Sequence, residues 1–241
     1  MSLTSMPRLP TGKLARTLSR VSKNIHTIEK QREPHAAFWD RWNADAITQD
    51  GPLWIALGDS SSQGIGAADP TDSWIPKMLP RLRRETGQNW RVLNLSMTGA
   101  KLEHILRIAL PRLHQIKDAG HEPELVTHLA GANDLMAPPS WATAPTTIQH
   151  VLDALPDHSI VARVGERPTL LGGAVPKVMN KTIEREAEHR PFHLFWPWAW
   201  PSRDGLAIDK WHPGPKGYDY MVDLIWPAMA NRLSLADRSV E

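Results

Sequence analysis

The sequence predicts an α/β fold, a parallel sheet covered by helices on both faces. Two observations lead there. Short apolar runs alternate with helix-patterned segments from residue 53 to the C-terminus, and few hairpin signals fall between them. Small or polar clusters follow several of those runs, as expected where strands of an open parallel sheet end at a crevice.

Taken in order, Leu14, Leu18, Val21, Ile25 and Ile28 recur at spacings of 4, 3, 4 and 3, which puts one apolar stripe on an N-terminal helix docked by that face. Phe38 to Asp50 is a polar, Trp-containing connector. Leu53-Trp54-Ile55-Ala56-Leu57, closed by Gly58, is a buried strand. Ser73 to Thr86 is a helix that Pro76 and Pro80 must kink or restart. Arg91 to Leu95 is the second strand, and Ala100 to Lys117 a helix interrupted at Pro111. Leu125 to Ala130 is the third strand and Thr146 to Leu155 another helix. Ile160 to Val164 and Phe192 to Trp196 are the last strands, with a helix through Asn180 to His189 between them. Tyr218 to Leu233 closes the chain as a helix with a kink at Pro227.

Composition narrows the chemistry. None of the 241 residues is Cys, which removes disulfides, thiolate metal sites and cysteine nucleophiles. His104, His114, His121, His128, His150, His158, His189 and His193 show no metal-ligand spacing, and His128, inside a strand, is expected to be a satisfied core residue. No dinucleotide fingerprint or phosphate loop occurs. The expectation is no metal and no cofactor. No apolar run approaches the roughly 20 residues of a membrane span, and the N-terminus has no signal-peptide pattern, so a cytoplasmic protein is expected. Charge is uneven: residues 1–32 carry seven cations and one acid, so that segment stands at +6 against +2 for the whole chain. Peripheral membrane contact by this basic helix is open; no aromatic interleaving or RNA-binding motif supports nucleic-acid binding. The oligomeric state has no signature.

The clusters after the strands contain the parts for acyl transfer. They are Gly58-Asp59-Ser60-Ser61-Ser62-Gln63-Gly64, Asn94-Leu95-Ser96-Met97-Thr98-Gly99, Gly131-Ala132-Asn133-Asp134 and, near the end, Asp209-Lys210-Trp211-His212-Pro213. A serine hydroxyl needs a base to take its proton. His212 is the candidate base and Asp209 its orienting carboxylate, the division of labour of a catalytic triad. Fixed donors must hold the oxyanion: the N–H groups of Ser60 and Gly99 and the side chain of Asn133 are candidates. Taken singly, Ser60 could be a helix cap, Gly99 a turn residue and Asp209–His212 a loop ion pair. Asp134 is expected to be structural.

These four stretches, in this order, resemble the sequence blocks of the SGNH hydrolases, also called the GDSL esterase/lipase superfamily. The four hallmark residues fall on Ser60, Gly99, Asn133 and His212, with the catalytic aspartate on Asp209, and the likeness runs from about Leu53 to Leu233. Ser62 breaks the Gly-x-Ser-x-Gly elbow that an α/β-hydrolase would need. Ser61 departs from the Leu or Ile that often follows the nucleophile, and Arg163 to Lys177 matches no known block. The resemblance implies a flavodoxin-like three-layer α/β/α sandwich with a five-stranded parallel sheet in the order 2-1-3-4-5. It divides the chain into an N-terminal extension over residues 1–50 and a hydrolase domain over 51–241. It implies a serine esterase or lipase acting on a small-molecule ester through an acyl-enzyme on Ser60. An acyltransferase or thioesterase with the same triad, and a catalytically silent binding module, are the alternatives. The run Phe195-Trp196-Pro197-Trp198-Ala199-Trp200-Pro201 is either an aromatic wall for an apolar group or a packed, rigid loop or dimer contact.

Overall fold

The computed structural model describes residues 3–166, 174–199 and 203–235. Five strands form one parallel sheet: β1 (Leu53–Gly58), β2 (Arg91–Asn94), β3 (Pro123–Leu129), β4 (Ile160–Ala162) and β5 (His193–Phe195), in the spatial order β2-β1-β3-β4-β5. The flavodoxin-like sandwich is therefore the observed fold.

The central strand explains the layers. Every residue of β1 is buried, and alternate side chains leave on opposite faces. Leu53, Ile55 and Leu57 join one apolar core with α6 (Leu102–His104), α7 (Leu110–Asp118), α9 (Ala144–Ala154) and α10 (Val175–His189). Trp54 and Ala56 join the other, with α5 (Trp74–Thr86) and α11 (Pro215–Arg232). Single turns α4 (Ser60–Gln63) and α8 (Ala132–Leu135) follow β1 and β3 at the carboxyl edge.

The N-terminal segment departs from the sequence expectation three times. The single helix is two, α1 (Lys13–Val21) and α2 (Lys23–Glu29), because Ser22 is extended and its hydroxyl accepts from the Ile25 N–H, starting a new helix. Its stripe is not docked along its length: Ile28 is buried, whereas Leu18 and Val21 are exposed. The Phe38 to Asp50 connector is instead mostly helix α3 (Arg32–Ala46). Its buried His35, Ala36, Trp39, Asn43 and Ala46 keep helical spacing, and that spacing was available in a segment whose polar content obscures it. Helix α3 closes the open edge of β2. Trp42 donates its indole N–H to Val92 O at 3.2 Å, and Asn43 exchanges two hydrogen bonds with the Asn94 backbone, at 2.9 and 2.8 Å.

Prolines act less uniformly than predicted. Helix α5 runs from Trp74 to Thr86 as one helix with Pro80 inside it; Pro76 sits in the first turn, where no N–H is missed. Before Pro111 the chain widens into a π turn at Ile105–Ala109, so the segment from Leu102 to Asp118 has three parts. Among the described residues no helix is long and apolar enough to cross a membrane.

Candidate active site

The catalytic-face loops begin with β1. Gly58 ends the strand, and Asp59 caps the following turn by accepting the Ser61 N–H at 3.0 Å. Capping therefore belongs to Asp59 and not to Ser60, which is the first residue of the turn. The Ser60 N–H has no carbonyl one turn back to bond.

A second loop carries His212. Between β5 and α11 the chain folds back on itself, with Ala207 N–H donating to His212 O and Gly214 N–H to Gly205 O, both at 2.8 Å. This closure sets Asp209 and His212 side by side. Asp209 Oδ1 accepts the N–H groups of Trp211 and His212 at 3.0 and 3.1 Å, and Oδ2 lies 2.6 Å from His212 Nδ1. Burial pushes the Asp209 carboxyl up, but the hydrogen bond and charge of His212 with the two amides outweigh it. The carboxyl sits below its ordinary range. An ionised carboxylate only accepts, so Nδ1 carries the proton and Nε2 is left as acceptor. His212 Nε2 is 3.0 Å from Ser60 Oγ.

Two glycines make room here. Gly66 has φ +108, and a Cβ on it would stand 2.1 Å from Pro213 O and 3.0 Å from His212 Cβ. The chain beside the histidine can approach that closely only without a side chain. A Cβ on Gly165 would meet the Trp198 ring at 3.0 Å.

The donor side comes from the loops after β2 and β3. Asn133 Nδ2 donates to Ala100 O at 2.9 Å and reaches Asp59 Oδ2 only at 3.4 Å, so its second N–H is loosely held. Gly99, next to Ala100, is half-buried and does not line the cleft that holds Ser60, Asn133 and His212. Asp134 is structural, as expected: Oδ2 accepts the Leu102 N–H at 3.0 Å and caps that helix start. Burial raises both carboxyls, Asp59 to about 6 and Asp134 to about 6.

Several positioning side chains carry no motif. Gln63 spans from the turn that carries Ser60 to the loop after β2, donating to Ser96 O at 3.0 Å and accepting from Thr98 N–H at 2.9 Å. Helix α3 and its lead-in brace the same loops. Trp39 donates to Gln63 O at 3.1 Å, Arg32 to Thr98 O at 3.3 Å, and Gln31 Oε1 accepts the Gly66 N–H at 2.8 Å. On the far side, the buried Tyr218 hydroxyl donates to Ile65 O at 2.8 Å.

The cleft holds a cavity of about 40 Å³. Beyond the polar trio its walls are Trp198, Trp211 and Leu135, with Asp59 at its base. The aromatic run thus divides. Trp198 edges the cleft, Trp196 lies under the Arg163 guanidinium at 4.4 Å, and Trp200 and Pro201, like residues 167–173, lie outside the described residues. One expectation fails: His128 is fully buried but not satisfied, since neither ring nitrogen has a partner, and burial lowers it to about 4.

Among the described residues no cluster of His, Asp or Glu could hold a metal ion. The arrangement suits proton transfer from a serine hydroxyl beside donors for a negative oxygen.

Solved structures share the fold. The chain resembles TesA (19% identity, TM-score 0.59, covering 75% of this chain and 99% of that one). It resembles the psychrotrophic esterase EstA from Pseudoalteromonas sp. (20%, 0.61, 76% and 98%). It also resembles a Clostridium thermocellum family 3 carbohydrate esterase (18%, 0.61, 77% and 98%). No curated protein matches the chain. The family model of the GDSL-like lipases and acylhydrolases matches residues 56–220, a span that starts in β1 and ends within α11 and so takes in Ser60, Asn133, Asp209 and His212. The chain belongs to that GDSL-like lipase/acylhydrolase family and is a serine hydrolase of esters.

Proposed function

We propose that the protein hydrolyses carboxylic esters of small uncharged acyl groups through an acyl-enzyme on Ser60. The observation that carries this reading is the continuous relay from Ser60 Oγ to His212 Nε2 at 3.0 Å and from His212 Nδ1 to Asp209 Oδ2 at 2.6 Å.

In this mechanism Ser60 Oγ attacks the ester carbonyl carbon as its proton passes to His212 Nε2. Asp209 stabilises the imidazolium. The carbonyl electrons move onto oxygen, where the Ser60 N–H and the loosely held Asn133 N–H receive them. The tetrahedral centre collapses, the C–O bond to the alcohol breaks, and His212 returns the proton to the leaving oxygen. Water, deprotonated by His212, then attacks the acyl-enzyme and frees the acid and Ser60. No cofactor enters these steps.

The cleft supports the substrate class. Trp198, Trp211 and Leu135 favour an apolar group, and the Asp59 carboxyl disfavours an anionic one. The test is labelling with a fluorophosphonate and turnover of short p-nitrophenyl esters. The expected result is one adduct on Ser60, with labelling and turnover both lost in Ser60→Ala while folding is retained. Retained turnover in that variant, or a folded wild type that takes no label, would refute the proposal.

A further inference from the structure

The amphipathic helix α1 raises a question the active site does not answer. Ala15 and Ser19 are half-buried, whereas Leu18 and Val21, three residues apart on a different face, point outward; Val21 is 79% exposed. Of the five large apolar side chains exposed among the described residues, three are Leu18, Val21 and Ile208. One contact ties Ile208 to this segment. Asn24 Nδ2, at the start of α2, donates to Ile208 O at 3.1 Å, and Ile208 immediately precedes Asp209. Val21 lies three residues before Asn24, so the chain keeps it within about 11 Å of that residue.

The same two helices carry unpaired cations. Arg16, Arg20, Lys23 and Lys30 form no ion pair with any described residue; the Arg16 guanidinium donates to a backbone carbonyl, Thr11 O, at 3.0 Å. The acid of this segment, Glu29, is already held by the Thr11 hydroxyl at 3.1 Å and faces Arg32 at 3.8 Å.

We propose that α1 docks the enzyme reversibly on an anionic lipid surface. Leu18 and Val21 enter the interface, the cations meet the headgroups, and the loop carrying Asp209 and Trp211 is held beside the same surface. Charge complementarity selects this occupant. A twofold dimer through this face would bring two +6 segments together, and a nucleic-acid backbone would engage the cations but leave Val21 in water. A short helix with few apolar residues and several cations gives weak, salt-sensitive attachment.

The test is sedimentation of the full chain with vesicles of phosphatidylcholine, with and without phosphatidylglycerol. The proposal expects binding to the anionic vesicles alone, falling by about tenfold or more in Arg16→Glu/Arg20→Glu and also falling in Val21→Asp. Thermal unfolding of both variants should match the wild type, since none of the three side chains packs in the core. Four results would each overturn it. They are absence of binding to anionic vesicles, equal binding to neutral ones, undiminished binding in Val21→Asp, and a dimer in light scattering that Val21→Asp dissolves.

Discussion

Gln63 Oε1 accepts two hydrogen bonds from Thr98, one from its backbone N–H at 2.9 Å and one from its hydroxyl. Thr98 immediately precedes Gly99, so one side chain joins the turn that carries Ser60 to the loop that follows β2. Gln63→Ala would leave the Thr98 N–H and Ser96 O without partners inside the protein, at about 1–3 kcal/mol for each buried group. The expected outcome is a fall in kcat of about 10- to 100-fold with KM little changed, less than the loss of a whole donor. Gln63→Glu keeps an acceptor for Thr98 but sets a second acceptor against Ser96 O, so it should not restore kcat. Steady-state kinetics of both variants, beside their thermal unfolding, separate misalignment from global destabilisation. An equal rise in KM with kcat intact would contradict the assignment.

Gly66→Ala should disable the enzyme from outside the motif. The new Cβ would collide with Pro213 O and press on His212 Cβ, at a backbone angle that L side chains rarely adopt. Displacing the histidine by about 1 Å is enough to cost on the order of 100-fold in kcat. Gly87→Ala is the control. Gly87 also has positive φ (+67), but a Cβ there meets nothing within 4 Å. That variant should show only a small stability loss, of about 1 kcal/mol, and wild-type kcat.

Much of this site is legible in the sequence because its chemistry sits in short runs. Ser60, Asn133 and His212 each lie in a cluster whose type and order are informative without coordinates. Asp209 is bound to His212 by a spacing of three residues. The braces are different. Gln31 and Gly66 are 35 residues apart, and Arg32 and Thr98 are 66 apart. No local pattern couples them; only the packing of α3 along β2 brings them together. The strand order follows from the resemblance, whereas the alternation of apolar runs shows only that strands and helices interleave. The break at Ser22 and the π turn before Pro111 are local competitions between side-chain or missing hydrogen bonds and helix continuation, which apolar periodicity does not register.

Trp198→Ala should redraw acyl preference. Its ring edges the cleft against Gly165, and removing it extends the apolar space without touching Ser60, His212 or Asp209. Turnover of acetyl, butyryl and octanoyl p-nitrophenyl esters checks this. The ratio of octanoyl to acetyl kcat/KM is expected to rise by about 10-fold, as extra methylene contacts replace the indole. An unchanged ratio would place the acyl chain elsewhere.

Asp59 should make the protein less stable as pH rises. Burial pushes its carboxyl up to about 6, aided by the Asp134 charge and opposed by the Ser61 amide and His212. The folded state therefore binds its proton more tightly than the unfolded chain. This contribution is full below the ordinary carboxylate range and lost as pH passes through about 6, a swing of about 3 kcal/mol. Asp59→Asn keeps a capping oxygen for the Ser61 N–H and removes the buried charge. It also turns an amide N–H toward Asn133, so part of the gain is returned and activity should fall. Urea unfolding at pH 4, 6 and 8 should show a variant whose advantage grows with pH. An advantage independent of pH would mean that Asp59 does not titrate in this range.

His128 sets the opposite slope. Its ring is fully buried on β3 with neither nitrogen hydrogen-bonded, and desolvation alone lowers it to about 4. Protonation is therefore easier in the unfolded chain. Stability from the neutral ring is complete above about 6.5 and drains as pH falls toward 4, by about 3 kcal/mol in total. His128→Leu removes that drain and relieves two unsatisfied polar atoms at every pH. The variant should unfold at higher urea than the wild type at pH 8, and the gap should widen at pH 4.5. A gap that closes on acidification would mean that the ring acquires a proton and a partner inside the fold, contrary to its fully buried position between the sheet and its covering helices.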